Sequence, residues 1–330
     1  MQRHRKSAAL LGAAGLLMVV CGASAPSAAK AQSAFPKQSL TIYAALTTAN
    51  GATLTQDFER YDPNANVTMV TGGTGTILSR VAAEQAAGGV HANVIMLADP
   101  TSMASLSQEK LLASYVPKGT KNLAKNLKGP GWEAPYLFNN VIIYHKGMSL
   151  PIPTSWKDLT KPIYKNEIEL GNPSYSGTTL GMVGYLSQTL GWKYFHQLES
   201  NGAVSVASTN TVGVDVAAGT KDIGISLDVV ARNFESAGSP VGIVWPKDGA
   251  VVAPAPVGIV AKNNNATARI FLNWLFSKAG QNAWQRMGYQ RAIGQSLLVP
   301  AHTKVDNPNW TKIMAQETTI LNNFQKIFVQ

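Results

Sequence analysis

From residue 38 to the proline at position 100 the chain repeats one pattern three times: a short apolar strand, a loop of small polar residues, then helical spacing. Residues 38–45 alternate, with Leu40, Ile42 and Ala44 set against polar neighbours, which predicts a strand. Residues 47–51 form a turn, and residues 52–61 take helical spacing through Leu54 and Phe58 until Asp62-Pro63-Asn64 stops them. Residues 66–71 predict a second strand. Gly72-Gly73-Thr74-Gly75-Thr76 follows it, then a helix over about 77–87. Residues 94–97 make a short buried strand that runs into Ala98-Asp99-Pro100 and a further helix. Strands that alternate with helices predict an α/β fold with parallel strands, because a parallel pair needs a crossover between its members.

A second unit of the same kind follows. Residues 168–170 read as a strand ending in Gly171-Asn172-Pro173-Ser174-Tyr175-Ser176-Gly177. A helix over 178–190 carries Leu180, Val183, Leu186 and Leu190 on one stripe. Strands over 204–207, 223–226 and 242–245 are separated by helices over 211–218 and 229–237. The two units are joined by two long apolar segments, 135–145 and 251–261, the second interrupted by prolines. Helices over 266–276, 279–287 and 310–328 come last and have no sheet of their own, so they are expected to pack back on the first unit. The organisation predicted is two lobes, one of residues 38–137 with 258–330 and one of 138–257. A ligand cleft lies between them, and the two crossing strands act as a hinge.

The first residues place the protein in the cell. Arg3, Arg5 and Lys6 precede an apolar run over 8–20, and Ala29-Lys30-Ala31 gives the A-x-A pattern before Gln32. That order is a secretory signal peptide over 1–31, and its apolar run is shorter than the ~20 residues that span a bilayer. An exported protein of roughly 300 residues is the expected product. Lipid attachment at Cys21 is the competing reading. Val20 and Met18 stand where that pattern wants a small residue and a leucine. With cleavage after Ala31 the mature chain has no cysteine, so its stability comes from cores and not disulfides. Four of the positive charges behind the net +10 lie in the leader, at Arg3, Arg5, Lys6 and Lys30, which leaves +6. That balance attracts anions. The basic residues are scattered, with no block interleaved with aromatics, which argues against nucleic acid as a partner.

Candidate binding residues sit where strands meet helices, the place where ligands enter open α/β sheets. A helix start offers unpaired N–H groups and a partial positive charge, and small residues let an anion approach them. Three segments fit: Thr47-Thr48-Ala49-Asn50, Thr74-Gly75-Thr76 and Ser176-Gly177-Thr178-Thr179. Each also fits an ordinary cap and turn. Asp99 and Asp228 follow apolar strands and read either as acceptors for a ligand amine or hydroxyl, or as helix caps. Tyr175 and Trp245 read as cleft walls or as core. Arg291, in the loop 288–294, reads as an anion partner or as a solvated side chain.

Catalysis has little to stand on. Gly72-Gly73-Thr74-Gly75 has no following lysine and no dinucleotide spacing, the histidines form no metal-ligand pair, and there is no G-x-S-x-G elbow. No catalytic residue, metal or cofactor is expected.

The order of several motifs then resembles the periplasmic solute-binding proteins of bacterial ABC importers, in the branch that takes up ferric iron, thiamine, sugar phosphates and 2-aminoethylphosphonate. The marks are Gly73-Thr74-Gly75 with Arg80 and Glu84, Ala92-Asn93-Val94-Ile95, Leu111-Leu112 and Asn172-Pro173 with Ser176-Gly177. Trp245-Pro246-Lys247-Asp248-Gly249, Ala268-Arg269-Ile270-Phe271 and Ser277-Lys278-Ala279-Gly280-Gln281 complete them. The resemblance implies a type II-like, two-lobed, hinged binder without catalysis that delivers its solute to a membrane permease and ATPase complex; a monomer is expected. Ferric binders of the branch carry adjacent tyrosines after the strand that here is 223–226, where this chain has Leu227-Asp228-Val229-Val230. A small anionic solute, an aminoalkylphosphonate or a phosphate ester, is therefore ranked ahead of ferric iron or an iron chelate. The same architecture would also suit a secreted phosphate-ester hydrolase, or a binder that reports to a membrane sensor protein.

Overall fold

Burial along the first strand sets the architecture. In β1 (Gln38–Ala44) Leu40, Ile42 and Ala44 enter one core while Tyr43 enters another, because successive side chains leave a strand on opposite faces. The computed structural model describes residues 38–329; the signal peptide expected over 1–31, with Cys21, lies outside the described residues. After β1 come α1 (Thr48–Tyr61), β2 (Ala65–Thr71), α2 (Thr74–Ala86), β3 (Val94–Met96) and α3 (Pro100–Gln108). A two-residue β4 (Lys128–Gly129) leads into the long β5 (Trp132–His145). The second unit is β6 (Ile168–Gly171), α4 (Gly177–Thr189), α5 (Trp192–Ser200), β7 (Val204–Val206), α6 (Thr209–Ala218), β8 (Ile223–Leu227), α7 (Asp228–Ser236) and β9 (Val241–Val244). The chain returns through β10 (Ala250–Ile259), then α8 (Ala266–Leu275), α9 (Lys278–Arg286), β11 (Gln290–Arg291), β12 (Val305–Asp306), α10 (Trp310–Ala315) and α11 (Glu317–Phe328).

The main path of the sheet runs β2-β1-β3-β10-β5-β8-β6-β7. Strands β1 to β3 are parallel, as are β6 to β8. Between these blocks lie β10 and β5, antiparallel to each other and to the block each borders. Strand β5 pairs with β10 over 133–140 and with β8 over 140–144, so one strand serves both blocks. Prolines do not break β10. A register shift between Ala255 and Val257 takes up Pro256, whose carbonyl accepts from Leu97 N–H at 3.0 Å.

Each block is packed on both faces, as parallel sheet requires. Helices α8 and α9 return to the first block: Phe58 meets Phe271 edge-on at 4.9 Å, and Trp284 stacks on Tyr136 at 4.0 Å. The last two helices turn to the second. Ile313, Ile320, Phe324 and Ile327 join the core of β6, α4 and α5, while Trp310 at the start of α10 packs against both cores, which corrects the expectation that all the final helices pack on the first unit. Gly181 and Gly184 of α4 permit this, because Trp310, Ile313 and Ile320 lie where side chains at those positions would stand.

Helices α1, α2, α4, α6 and α7 start one to four residues earlier than apolar spacing predicts. The residues that spacing left to loops are caps and first turns, whose small hydroxyl side chains carry no apolar period.

Candidate functional site

Three helix starts carry a hydroxyl cap and a fourth is bare. Thr47 caps α1 by accepting from Asn50 N–H at 3.2 Å, Ser176 caps α4 by accepting from Thr179 N–H at 3.4 Å, and Ser208 caps α6 by accepting from Thr211 N–H at 3.1 Å. Helix α2 starts at Gly73 with no side-chain cap. Each cap satisfies one N–H of a first turn that has four without intrahelical partners. The N–H groups of Thr74 and Thr178 find no acceptor among the described residues. The α4 hydroxyls form a cluster of their own, with Ser176 Oγ 2.9 Å from Thr179 Oγ1 and 3.1 Å from Thr178 Oγ1.

These starts face one cavity. It measures about 60 Å³ and is lined by residues of all four: Thr47, Gly73-Thr74, Ser176-Gly177-Thr178 and Ser208-Thr209-Asn210, with Tyr175 at one side and Tyr289 behind. The cavity opens beside a groove of about 660 Å³ that shares Thr47, Gly72, Gly73, Asn210 and Asn233 with it. Thr48, Asn50, Val214 and Phe234 extend the groove outward. Backbone contacts bring the parts of the wall together. Gly75 N–H donates to the Tyr175 carbonyl at 3.4 Å, and a Cβ on Gly73 or Gly75 would stand 3.3 Å from the Tyr175 backbone.

Among the described residues, no aspartate, glutamate, lysine or arginine lines the cavity or the groove. Leu46, Phe138, Leu227, Val229 and Val230 supply an apolar part of the wall; its polar part offers N–H groups, hydroxyls and amides at the positive ends of helices, a set suited to a small oxyanion. Behind the wall, Asn50 Nδ2 donates to the Tyr289 hydroxyl at 2.7 Å, and burial pushes the pKa of that phenol up.

The predicted residues separate into two groups. Thr47, Thr74, Tyr175, Ser176, Gly177 and Thr178 line the cavity, and Thr48 lines the groove. Thr76, Asp99, Asp228 and Trp245 line neither. Thr76 is in the first turn of α2 with its side chain exposed. Asp99 caps α3, accepting from Ser102 N–H at 2.7 Å through Oδ1. Its Oδ2 is buried without a partner against Gly177, and burial pushes its pKa up against the bonds from Ser102 and Thr101. Both carboxylate oxygens of Asp228 are engaged: Oδ1 accepts from Asn139 N–H at 3.1 Å, and Oδ2 accepts from Asn139 Nδ2 at 3.0 Å and Arg232 Nη1 at 2.7 Å. Trp245 packs by the α7 face with the Arg232 guanidinium over its ring at 5.9 Å. Arg291 is held by Asn282 and the Gln295 carbonyl.

Sequence reasoning missed Ser208-Thr209-Asn210, Asn233 and Tyr289. The first carries the signal used elsewhere, a hydroxyl just before a helix. Asn233 and Tyr289 reach the site through packing and have no local signal.

Residues 39–290 match the sequence profile of a family described as bacterial extracellular solute-binding proteins. A Salmonella typhimurium protein, whose name proposes 2-aminoethylphosphonate binding in the periplasm, is 24% identical, covering 94% of this chain and 97% of its own. An uncharacterized protein of Haemophilus influenzae is also 24% identical, covering 86% of this chain and 85% of its own. The fold is similar to that of the periplasmic binding protein AfuA from Actinobacillus pleuropneumoniae, solved with fructose-6-phosphate bound. That likeness has a TM-score of 0.77 and 21% identity, over 88% of this chain and 99% of that one. It is similar as well to iron-bound HitA from Pseudomonas aeruginosa, with a TM-score of 0.74 and 18% identity, over 88% and 99% of the two chains.

Proposed function

We infer from one premise, that this chain belongs to the bacterial extracellular solute-binding proteins, how its site is used. It is a secreted periplasmic protein, the non-catalytic solute-binding component of an ABC importer, and its partner is the permease and ATPase complex. Its solute is a small oxyanion of the phosphate or phosphonate type, a phosphonate or a phosphate ester. The first lobe is residues 38–137 with the return segment from 258, the second is 138–257, α10 touches both and α11 rides on the second. Strands β5 and β10 are the hinge, since among the described strands they alone join the two parallel blocks and rotation about them opens the gap. Thr47, Thr74, Ser176, Gly177 and Thr178 contact the anion together with Ser208, Thr209 and Asn210. Thr48 and Tyr175 flank its exit.

The observation that carries this reading is that four helix starts, drawn from both sides of β5 and β10, line one cavity without a charged side chain among its described residues. Backbone N–H groups at helix starts hold an anion without a counter-charge. Calorimetric titration of the mature protein with phosphate, phosphonates, sugar phosphates, ferric citrate and spermidine tests it. Binding of a phosphate or phosphonate compound, weakened at least tenfold by Thr178→Val, is the expected result. Binding of ferric citrate or spermidine alone overturns it.

A further inference from the structure

The groove, more than the cavity, sets what the rest of the solute looks like. We propose that the part of the solute outside its anionic group is uncharged and apolar, an alkyl or aryl phosphonate or phosphate ester in preference to an aminoalkyl one; this deepens the anion reading above and rests on it. A solute with its anionic end at the helix starts sends its substituent past Gly72, Gly73 and Asn233 into the groove, because cavity and groove share those residues. The groove walls are Leu46, Ala49, Val214, Val230, Phe234 and Ala237, with amides and hydroxyls between them. Val214 is 53% exposed, so a large aliphatic side chain of the groove wall faces solvent. Apolar surface placed there gains by being covered.

Charge supports the same conclusion. An ammonium in the groove finds no carboxylate among the described residues that line it, only amide and hydroxyl oxygens. The nearby carboxylates are committed elsewhere. Asp228 is held through both oxygens by Asn139 and Arg232, Asp99 is bonded to Ser102 and closed off behind Gly177, and Glu235 pairs with Lys146 at 2.7 Å. A charged group stripped of water without a partner is disfavoured, while each buried methylene contributes about fourfold in affinity.

The test is calorimetry of the mature protein with inorganic phosphate and with methyl-, propyl-, phenyl- and 2-aminoethylphosphonate. Propyl- and phenylphosphonate are expected to bind about tenfold more tightly than methylphosphonate, and 2-aminoethylphosphonate about tenfold more weakly than propylphosphonate. Val214→Asp, at an exposed position, then reverses the order of the propyl and 2-aminoethyl compounds; Ala237→Asp is the second variant should the first melt early. Equal or tighter binding of 2-aminoethylphosphonate by the wild type, or equal binding of methyl- and propylphosphonate, overturns this inference and leaves the anion reading in place. Failure of phosphate and every phosphonate to bind removes both.

Discussion

Gly177→Ala is the substitution whose cost the structure fixes most tightly. A Cβ at this position would stand 1.8 Å from Asp99 Oδ2, 2.5 Å from Asp99 Cγ and 2.8 Å from Asp99 Cβ. The carboxyl cannot swing away freely, because its Oδ1 holds Ser102 N–H at 2.7 Å as the cap of α3 and the side chain is fully buried. Losing the cap costs about 1 kcal/mol. Crowding a packed interior adds about 1–3 kcal/mol. The sum is about 2–4 kcal/mol, and the protein meets it in one of two ways. It keeps the contact and loses stability, or it separates Gly177 from Asp99 and weakens the cavity wall that Gly177 forms. In the second case the same free energy appears as a loss of about 30- to 1000-fold in affinity. Urea denaturation and calorimetry with propylphosphonate together capture both. Asp99→Ala in the Gly177→Ala background removes the two tightest contacts and is expected to recover part of the loss; the cost of the lost cap and the 2.8 Å approach to the residue 99 Cβ remain. A Gly177→Ala protein with wild-type urea midpoint and wild-type Kd would refute the packing argument.

Asp228→Ala leaves Arg232 and Asn139 without their buried acceptor and is expected to cost about 3–5 kcal/mol in urea denaturation. Its Kd for propylphosphonate should stay within about threefold where the variant is folded, since Asp228 lines neither cavity nor groove. Glu169 is buried and faces Asp215, and burial first, then that neighbour, pushes its pKa up to about 7. A folded pKa above the unfolded one means that stability falls as pH rises from the ordinary glutamate range to about 7. Glu169→Gln should therefore melt higher than wild type at pH 8 and close to it at pH 4; an unchanged gap across that range contradicts the assignment. Gly181→Ala places a Cβ 2.2 Å from the Trp310 ring and should cost about 1–3 kcal/mol, with a change in tryptophan emission that marks the shift of α10.

The strand-and-helix repeat is legible in the sequence because two periods, near 2 and near 3.6, alternate along it. The helix starts are legible as chemistry for a different reason: serine, threonine and glycine before an apolar stripe mark both a cap and an open first turn. Their extent is not legible, and so the loop read at 208–210 proved to be the cap and first turn of α6 facing the cavity. Asp228 shows where local reading misleads. Its position after a strand resembles that of a ligand acceptor, although Arg232 four residues on, at the spacing of a helical ion pair, is the visible sign of its other use. Asn139, which completes that arrangement, is 89 residues away and only the sheet brings it there. The same limit hid the seat of α10 and α11: Gly181 and Gly184 read as weak helix formers, and only packing shows that they are the floor under Trp310 and Ile320.

Solute capture depends on helix starts from both sides of the long strands gripping one solute together. Amide-resolved NMR of the isotope-labelled protein during titration with propylphosphonate reads this directly. The N–H signals of Thr74, Thr178 and Asn210 should move together and saturate at one common Kd. Movement of one of the three while the others stay fixed through saturation would mean that the solute does not sit where these helices meet.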